Sequence, residues 1–326
     1  MKRSYIIPGD ELGLLKLSRI KPIPIGLNGL LDESRNPSKV LCRSELPETP
    51  NAIVDICVVP NCQESQSSQD AQNSSVSKLM QAESASNAVI VSHVDGSVRN
   101  HYIDFDPTSS SQSAFQFVPN SATNFDESCL LKALNSTRKG RALAVGKKTG
   151  KASVVDARNL NIVKEFKTRG PVGAIGVSED ASNFATGGKE NDLLVFDVEK
   201  GKETFRAINL PHDKLDLRKP VWITGLSFLS SKDLIVTCTG YSEMRIYDIR
   251  DSTSNCRPIK NIDLTETHHR WGHFTCLKYQ KESNSIFLTD NQGSFGRMNL
   301  DDFKFDAKFK GAAGSIRSID LHQKAD

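Results

Sequence analysis

The sequence has no apolar run long enough to cross a membrane. Its clearest apolar stretch, 53–59, is far shorter than the roughly 18 residues that a transmembrane helix needs. The N-terminus reaches Pro8 and two acidic residues before the apolar core of a secretion signal can form. We therefore expect neither membrane insertion nor secretion.

Cysteines are few and irregularly placed. The seven cysteines, an odd number, lie at 42, 57, 62, 129, 238, 256 and 276. Cys57 and Cys62 enclose the sequence CVVPNC, but no second pair accompanies them to complete a zinc site. This pattern predicts free, buried thiols in a reducing compartment, the cytosol or the nucleus.

Chemistry-bearing constellations are scarce as well. His268, His269 and His273 have no cysteine or carboxylate at metal-ligand spacing beside them, so a loop is the favoured interpretation. Gly187 and Gly188 precede Lys189, but a strand follows them and not a helix, which favours a tight hairpin over a phosphate site. With no nucleophile and base pair to assign, the sequence predicts a protein that is not an enzyme and has no cofactor.

A weak internal repeat organises the chain. Six segments share an apolar run, a short polar turn and a second run, which is the pattern of a β-hairpin. The turn residues are Gly13, Gly96, Gly150, Asn191, Ser242 and Gly293. Their spacings are 83, 54, 41, 51 and 51, and the last four suit propeller blades of about 40 to 45 residues with modest loops.

The long first interval has an evident source. Residues 61–87 contain 8 Ser and 5 Gln with few apolar side chains, which predicts a disordered loop between the first and second blades. Two pairs, Phe196-Asp197 and Tyr247-Asp248, end alternating runs where a WD repeat has Trp-Asp. The prediction is an all-β WD-repeat propeller occupying 1–326 as a single domain.

Positive charge is concentrated in one region. Between Lys132 and Arg169 there are 11 Lys and Arg against 2 acids, a balance of +9, while the whole chain carries +3. Such a region could meet phosphate or an acidic protein, or it could be a solvated set of strand edges and turns. The candidate basic patch consists of Arg138, Lys139, Arg141, Lys147, Lys148 and Lys151.

One long motif is more specific than the blade pattern. The segment FRAINLPHDKLDLRKPVW, 205–222, contains a Leu-Asp-Leu-Arg element and a Pro-Val-Trp, and ATGGKEN, VTCTGYSEMRIYD and KGAAGSIRSIDLH accompany it. Together these segments resemble the nucleolar WD-repeat family of large-subunit ribosome assembly, which comprises WD-repeat protein seventy-four in animals and Nop-seven-associated protein one in yeast. His212 departs from the pattern, because the family has Asn there.

The resemblance implies a seven-bladed propeller and a function. The family's role implies a non-enzymatic scaffold in nucleolar maturation of the 60S subunit and in rRNA processing, located in the nucleus and nucleolus. Implied partners are pre-60S proteins, an AAA-type ATPase that remodels the particle and, through the basic patch, precursor rRNA. The candidate partner-binding residues in the matching segments are Lys189, Glu190, Asp216, Arg218, Trp222, Tyr241 and Arg317.

Two further interpretations stay open. The alternation of Leu215, Asp216, Leu217 and Arg218 fits either a packing strap, with leucines docked on a blade and ions paired locally, or a recognition edge for a partner. The sequence Tyr247-Asp248-Ile249-Arg250 resembles the WD-x-R box of propeller receptors in cullin ubiquitin ligases, which is the alternative function.

The end of the chain raises a question of closure. Counting blades along 1–326 gives about six plus the first strand of a seventh, 315–321. Because an open blade exposes unpaired backbone groups, we expect this chain to be less stable than a version extended by a full seventh blade.

Overall fold

The computed structural model describes most of the chain, and everything below refers to the described part. The described residues are 4–6, 16–20, 38–43, 52–59, 88–105, 115–134, 140–212, 214–230, 233–250, 256–265, 271–309, 314–319 and 321. All regular structure among them is β-strand. They contain no helix long and apolar enough to cross a membrane.

The strands form six antiparallel sheets in chain order, which we call blades 1 to 6. Blade 1 has three strands, β1 Ser4–Ile6, β2 Lys16–Ile20 and β3 Ser38–Arg43. Blade 2 comprises β4 Ile53–Val59, β5 Ala88–His93, β6 Ser97–Phe105 and β7 Phe115–Asn124. Blade 3 comprises β8 Cys129–Ala133, β9 Arg141–Gly146, β10 Lys151–Asp156 and β11 Ile162–Lys167.

The other three blades repeat the four-stranded plan. Blade 4 comprises β12 Ala174–Val177, β13 Asn183–Gly188, β14 Asn191–Asp197 and β15 Glu203–Arg206. Blade 5 comprises β16 Ile223–Phe228, β17 Leu234–Thr239, β18 Glu243–Asp248 and β19 Lys260–Asp263. Blade 6 comprises β20 Phe274–Gln280, β21 Ser285–Asp290, β22 Phe295–Asn299 and β23 Phe305–Phe309.

The blades adjoin one another through their first strands. In blades 2 to 6 each first strand touches the first strand of the next blade, and β3 of blade 1 touches β7 of blade 2. This arrangement of four-stranded antiparallel sheets is that of a WD-repeat β-propeller, so the predicted fold class is confirmed.

The hydrophobic core lies between the blades. Four clusters of buried side chains fill the successive interfaces from blades 2 and 3 to blades 5 and 6. Because neighbours cover both faces of a middle strand, β5 and β13 are buried almost throughout, whereas the outer strands β11 and β15 remain largely exposed. Burial on two faces is why the middle strands read as continuous apolar runs.

The predicted turns can be checked at five of six positions, since Gly13 lies outside the described residues. Gly96, Gly150, Ser242 and Gly293 all have positive φ, between 60° and 90°, as a tight hairpin turn requires. In blade 4 the positive φ, 53°, belongs to Glu190 and not to the predicted Asn191. Asn191 instead begins β14, and its side chain bonds to the neighbouring connection.

The predicted disordered loop 61–87 lies outside the described residues. The strands flanking it, β4 and β5, are neighbours in blade 2, so this segment joins two strands of one blade and not two blades.

The predicted first strand of a seventh blade, 315–321, is not a strand in the described residues. This segment nevertheless lies beside blade 6. The amide of Ile316 donates to the Asp290 carbonyl oxygen at 3.3 Å, and the Thr275 hydroxyl donates to the Ile316 carbonyl oxygen at 2.5 Å.

The cysteine prediction can be tested at five of the seven residues. Cys57, Cys129 and Cys238 are buried free thiols, and burial raises the pKa of each to about 12. Cys256 and Cys276 are partly buried and form no disulfide. Thiols outside any disulfide are therefore confirmed at all five described positions, and full burial at three.

Phe184 is the aromatic centre of the interface between blades 3 and 4. It is fully buried, its ring stacks on Phe196 at 5.1 Å between centroids, and Phe166 lies 5.4 Å away. We expect Phe184→Ala to lower the free energy of unfolding by about 3–5 kcal/mol, because it leaves a cavity between the blades. Urea denaturation measures this, and Phe287→Ala, at a half-buried ring, should cost clearly less. Equal losses would contradict the proposed role of the interface.

Candidate functional site

The turns between second and third strands and the connections between blades interlock on one face, which we call the turn face. Glu190 donates its amide to the Val221 carbonyl oxygen at 2.8 Å, and Gly240 donates its amide to the Trp222 carbonyl oxygen at 2.9 Å. Asn191 Nδ2 donates to the Arg169 carbonyl oxygen at 2.6 Å. Each turn is therefore fixed to a connection beside it.

Trp222 lies where the turns of blades 4 and 5 meet. Its backbone pairs with Lys189, and the Lys189 Nζ lies 5.6 Å from the centre of its ring. The rings of Tyr241 and His273 lie 5.8 and 5.6 Å away, and the His273 Nδ1 donates to the carbonyl oxygen of Gly240. The half-buried indole thus joins side chains from three blades.

Glycine is required at position 240 because the indole lies directly against it. A Cβ atom built on Gly240 would lie 2.3 Å from the Trp222 ring. Any larger residue would displace the indole, or the turn that carries Tyr241.

The segment 207–222, which we call the strap, joins blade 4 to blade 5 across this face. Arg218 forms an ion pair with Glu190 at 3.0 Å, and His212 Nδ1 lies 2.8 Å from Asp216 Oδ1. Both pairs are solvent-exposed, so each contributes little to stability and mainly fixes the direction of its side chains.

The packing interpretation of the strap is wrong for its leucines, although its charged residues do pair locally, as that interpretation predicted. Leu215 is 78% exposed and Leu217 is 59% exposed, so the leucines do not dock on a blade. The predicted alternation assumed an extended strand, but Asp216 has φ 59°, in the left-handed region. This conformation breaks the alternation, and both leucines face solvent.

The buried side chain of Arg245 binds the base of the strap. Its side chain is 1% exposed, and its guanidinium donates to Glu243 at 2.7 Å and to Asn209 Oδ1 at 3.2 Å. Burial alone lowers the pKa of Arg245, but hydrogen bonds and charge from Glu243 and Tyr247 outweigh this effect and raise it. Burial also raises the pKa of the Tyr247 hydroxyl, to about 12.

Asn209 links Arg245 to both ends of the strap. Its Oδ1 accepts from Arg245 and from the Leu210 amide at 2.8 Å, and its Nδ2 donates to the Lys219 carbonyl oxygen at 2.6 Å. One amide side chain therefore holds residues 210 and 219 at the base of a closed loop.

The structure brings together six of the seven predicted partner-binding residues. Lys189, Glu190, Asp216, Arg218, Trp222 and Tyr241 all lie on the strap or on the turns beside it. Arg317 is exposed in the segment beside blade 6 that follows Ile316. No contact in the described part of the chain joins Arg317 to this cluster.

The predicted basic patch is not one surface. Arg138 and Lys139 lie outside the described residues, and Arg141 begins β9 at the end opposite to the turn. Lys147 and Lys148 lie in the turn of blade 3, on the turn face, while Lys151 pairs with Glu165 at 2.8 Å.

The other candidate sites that lie among the described residues have structural roles. Gly187 and Gly188 lie in the predicted hairpin. A Cβ atom on Gly187 would lie too close to Ile223, and one on Gly188 would lie too close to the backbone at the entry to blade 4. His268, His269 and Cys62 lie outside the described residues. Among those described, no three His, Cys, Asp or Glu side chains are grouped as metal ligands.

Sequence reasoning missed Arg245, Asn209, Gly240 and the ring contact of His273. The run EMRIYD gave no signal for Arg245, because alternation places this residue on the face opposite to Met244 and Ile246, where a charged side chain is expected to be exposed.

Comparisons with known proteins agree with the predicted resemblance. WD repeat-containing protein 74 of Bos taurus is 37% identical over 139 residues, which are 42% of this chain and 34% of that protein. The human protein of the same name is 34% identical over the same shares. Ribosome biogenesis protein NSA1 of Meyerozyma guilliermondii is 37% identical over 177 residues, which are 49% of this chain and 43% of that protein.

The matches therefore span less than half the length of these relatives. No protein-family model matches the chain. The predicted resemblance is nevertheless confirmed, since homologues with both family names are found at 34 to 37% identity over about half the chain.

The anchoring role of Asn209 leads to a prediction about the strap. Asn209→Ala removes the bond to Lys219 and leaves Arg245 with one partner fewer, so we expect a loss of about 1–2 kcal/mol of stability. The strap should also open, and trypsin should cut it at Lys214 or Arg218 several times faster than in the unaltered chain.

Asn161→Ala, at an exposed turn of blade 3, is the matched control and should leave the cleavage rate unchanged. If trypsin cuts the Asn209 variant no faster, the strap is held by other contacts.

Proposed function

We propose that this chain is a ribosome-biogenesis factor that acts as a non-enzymatic scaffold in nucleolar maturation of the large ribosomal subunit. The observation that carries the proposal is the similarity to relatives named WD repeat-containing protein 74 and Ribosome biogenesis protein NSA1. Its location would then be the nucleus and nucleolus, and its role would include a contribution to rRNA processing.

The turn face supports a role in binding. The strap presents Arg218, with exposed leucines beside it, and the half-buried Trp222 lies at its end. Arginine and tryptophan are enriched among residues that dominate interface energies. A rigid propeller surface of this kind suits a scaffold that holds partners without changing them chemically.

The proposed partners are proteins of the pre-60S particle and an AAA-type ATPase that remodels it. Precursor rRNA is a further candidate, for which the exposed Lys148 and the half-buried Lys147 provide positive charge on the turn face. Phosphate contacts from lysine supply affinity without sequence specificity.

The cullin-receptor alternative has less support. Arg250, the last residue of the WD-x-R-like sequence, forms hydrogen bonds with both carboxylate oxygens of Asp248, at 2.9 Å for the nearer Nε contact. The relatives' names favour the ribosomal role.

Affinity purification of the full-length natural protein separates the two functions. Co-purification of pre-60S proteins and precursor rRNA is expected. Recovery of a cullin adaptor in their place would reject the ribosomal proposal.

The role of the strap can be tested by its exposed arginine. Arg218→Ala should weaken association with pre-ribosomes while changing the melting temperature little, because its pair with Glu190 is exposed. Trp222→Ala should reduce both quantities, since the indole packs against Gly240 and against the rings of Tyr241 and His273. Arg206→Ala, at an exposed arginine paired with Glu203 on β15, is the matched control. If Arg218→Ala binds as well as the control, the strap is not a partner surface.

The electrostatic contribution of the blade 3 turn can be tested with salt. Neutralising Lys147 and Lys148 should flatten the dependence of pre-ribosome binding on salt concentration, because fewer counterions are released on binding. Lys151→Gln is the internal control, since Lys151 already pairs with Glu165. An unchanged salt slope in the double variant would assign these lysines to solubility.

A further inference from the structure

Four cations lie on three neighbouring segments of the turn face. Lys147 and Lys148 belong to the turn of blade 3, Arg169 to the connection that enters blade 4, and Lys189 to the turn of blade 4. Three of these side chains are exposed, and Lys147 is half-buried. We call the four residues the cationic track.

Hydrogen bonds hold the three segments of the track together. The Val172 amide donates to the Lys147 carbonyl oxygen at 2.8 Å, which joins the connection to the turn of blade 3. Asn191 Nδ2 donates to the Arg169 carbonyl oxygen at 2.6 Å, which joins the connection to the turn of blade 4. The connection therefore lies between the two turns, and the track crosses the face in a fixed order.

The cations of the track have no ion pair within the described part of the chain. Three acids lie on the adjoining turns and connections. Glu190 pairs with Arg218, and Glu127 accepts hydrogen bonds from the backbone of the blade 3 turn. Asp126 is exposed, and its charge acts on Lys151. The four cations of the track thus outnumber the two acids that have no cationic partner of their own.

Aromatic rings adjoin the blade 4 end of the track. The Lys189 Nζ lies 5.6 Å from the centre of the Trp222 ring, and the rings of Tyr241 and His273 lie 5.8 and 5.6 Å from the same ring. Trp222 packs against Gly240, whereas the His273 side chain is exposed. The bond from His273 Nδ1 to the Gly240 carbonyl oxygen fixes the imidazole. The end of the track therefore presents an exposed ring in a fixed position.

We propose that the cationic track and the ring of His273 bind a single-stranded nucleic acid, with phosphates along Lys148, Arg169 and Lys189 and one unstacked base on the imidazole. The proposal rests on the proposed function for the identity of the strand as precursor rRNA, and it adds the form in which that RNA is bound. The combination of unpaired cations with an exposed ring carries it. Proteins that bind single strands combine a positively charged path for the backbone with aromatic side chains for the bases.

The ring favours a single strand over a duplex and over an acidic protein. In a duplex the bases are stacked on one another, so double-stranded RNA is recognised mostly by its shape and its backbone. The carboxylates of an acidic protein would use the cations but would leave the imidazole without a stacking partner. Because every base has a flat face, we expect little preference for sequence.

The test uses the purified 326-residue chain and a fluorescein-labelled oligouridylate of about 12 nucleotides, within the usual range of single-strand sites. Fluorescence anisotropy at several salt concentrations measures the dissociation constant. The same strand annealed to oligoadenylate is the duplex probe, and labelled polyglutamate is the acidic-protein probe. We expect the single strand to bind most tightly, because it alone gains from the ring.

A double variant tests the track. Arg169→Gln with Lys189→Gln should reduce the slope of log affinity against log salt concentration by about 1.4, since each phosphate contact of a single strand contributes about 0.7. Lys202→Gln with Lys304→Gln is the matched control and should leave the slope unchanged. These two exposed lysines lie in turns between third and fourth strands, at the end of the blades opposite to the turn face.

A further variant tests the ring. His273→Asn keeps a donor for the Gly240 carbonyl oxygen but removes the aromatic face, so the affinity for oligouridylate should fall about tenfold while the affinity for the duplex stays the same. His212→Asn, at an exposed histidine of the strap, is the matched control and should bind both probes normally. The melting temperature of each variant shows that it is folded.

Several results would overturn the proposal. These are absence of oligouridylate binding, equal or tighter binding of the duplex or of polyglutamate, no effect of the track or ring variants, or equal losses in their controls. Failure here is distinct from failure of the proposed function. Pre-60S co-purification that persists without oligouridylate binding rejects only the single-strand site, whereas oligouridylate binding without pre-60S co-purification rejects only the ribosomal setting.

Discussion

The buried guanidinium of Arg245 is the constraint on which the strap depends. An unpaired charge in the interior of a protein is costly, so its partners must be held in fixed positions. Glu243 compensates the charge, and Asn209 accepts a further hydrogen bond from the guanidinium. Because Asn209 also binds the carbonyl oxygen of Lys219, the need to satisfy a buried charge closes the base of an exposed loop. The pairing of a buried charge in the core thereby also fixes the base of a loop on the surface.

The same logic explains why the turn face is ordered although it consists of turns and connections. Such segments are usually the mobile part of a fold, since their backbone groups have no ladder to join. Here they bind each other, and Trp222 pairs its backbone with Lys189 and Gly240 from the two adjacent blades. The aromatic contacts with Tyr241 and His273 add side-chain packing to that backbone pairing.

How far the sequence predicts this protein depends on how local the signal is. The hairpin turns followed from Gly, Asn and Ser between apolar runs, and four of the five that can be checked have the expected residue at positive φ. The alternation of apolar and polar residues predicted less, because β13 is buried on both faces and alternation arises only where one face of a strand is exposed. Alternation failed to predict the structure of the strap for another reason. Asp216 has a left-handed conformation in a loop whose two ends are joined by Asn209, and a short window of sequence does not contain both ends.

The distribution of charge shows a similar division between composition and geometry. The region 132–169 is strongly basic in sequence, yet the fold sends Arg141 and Lys148 to opposite ends of β9, so that linear density does not become one surface. The ion pair of Arg218 and Glu190 arises in the opposite way. These two residues are far apart in the sequence, and they lie together where the Glu190 amide donates to the carbonyl oxygen of Val221. The placement of charged side chains on the turn face therefore depends less on where basic residues are dense in the sequence than on which residues the blade connections bring together.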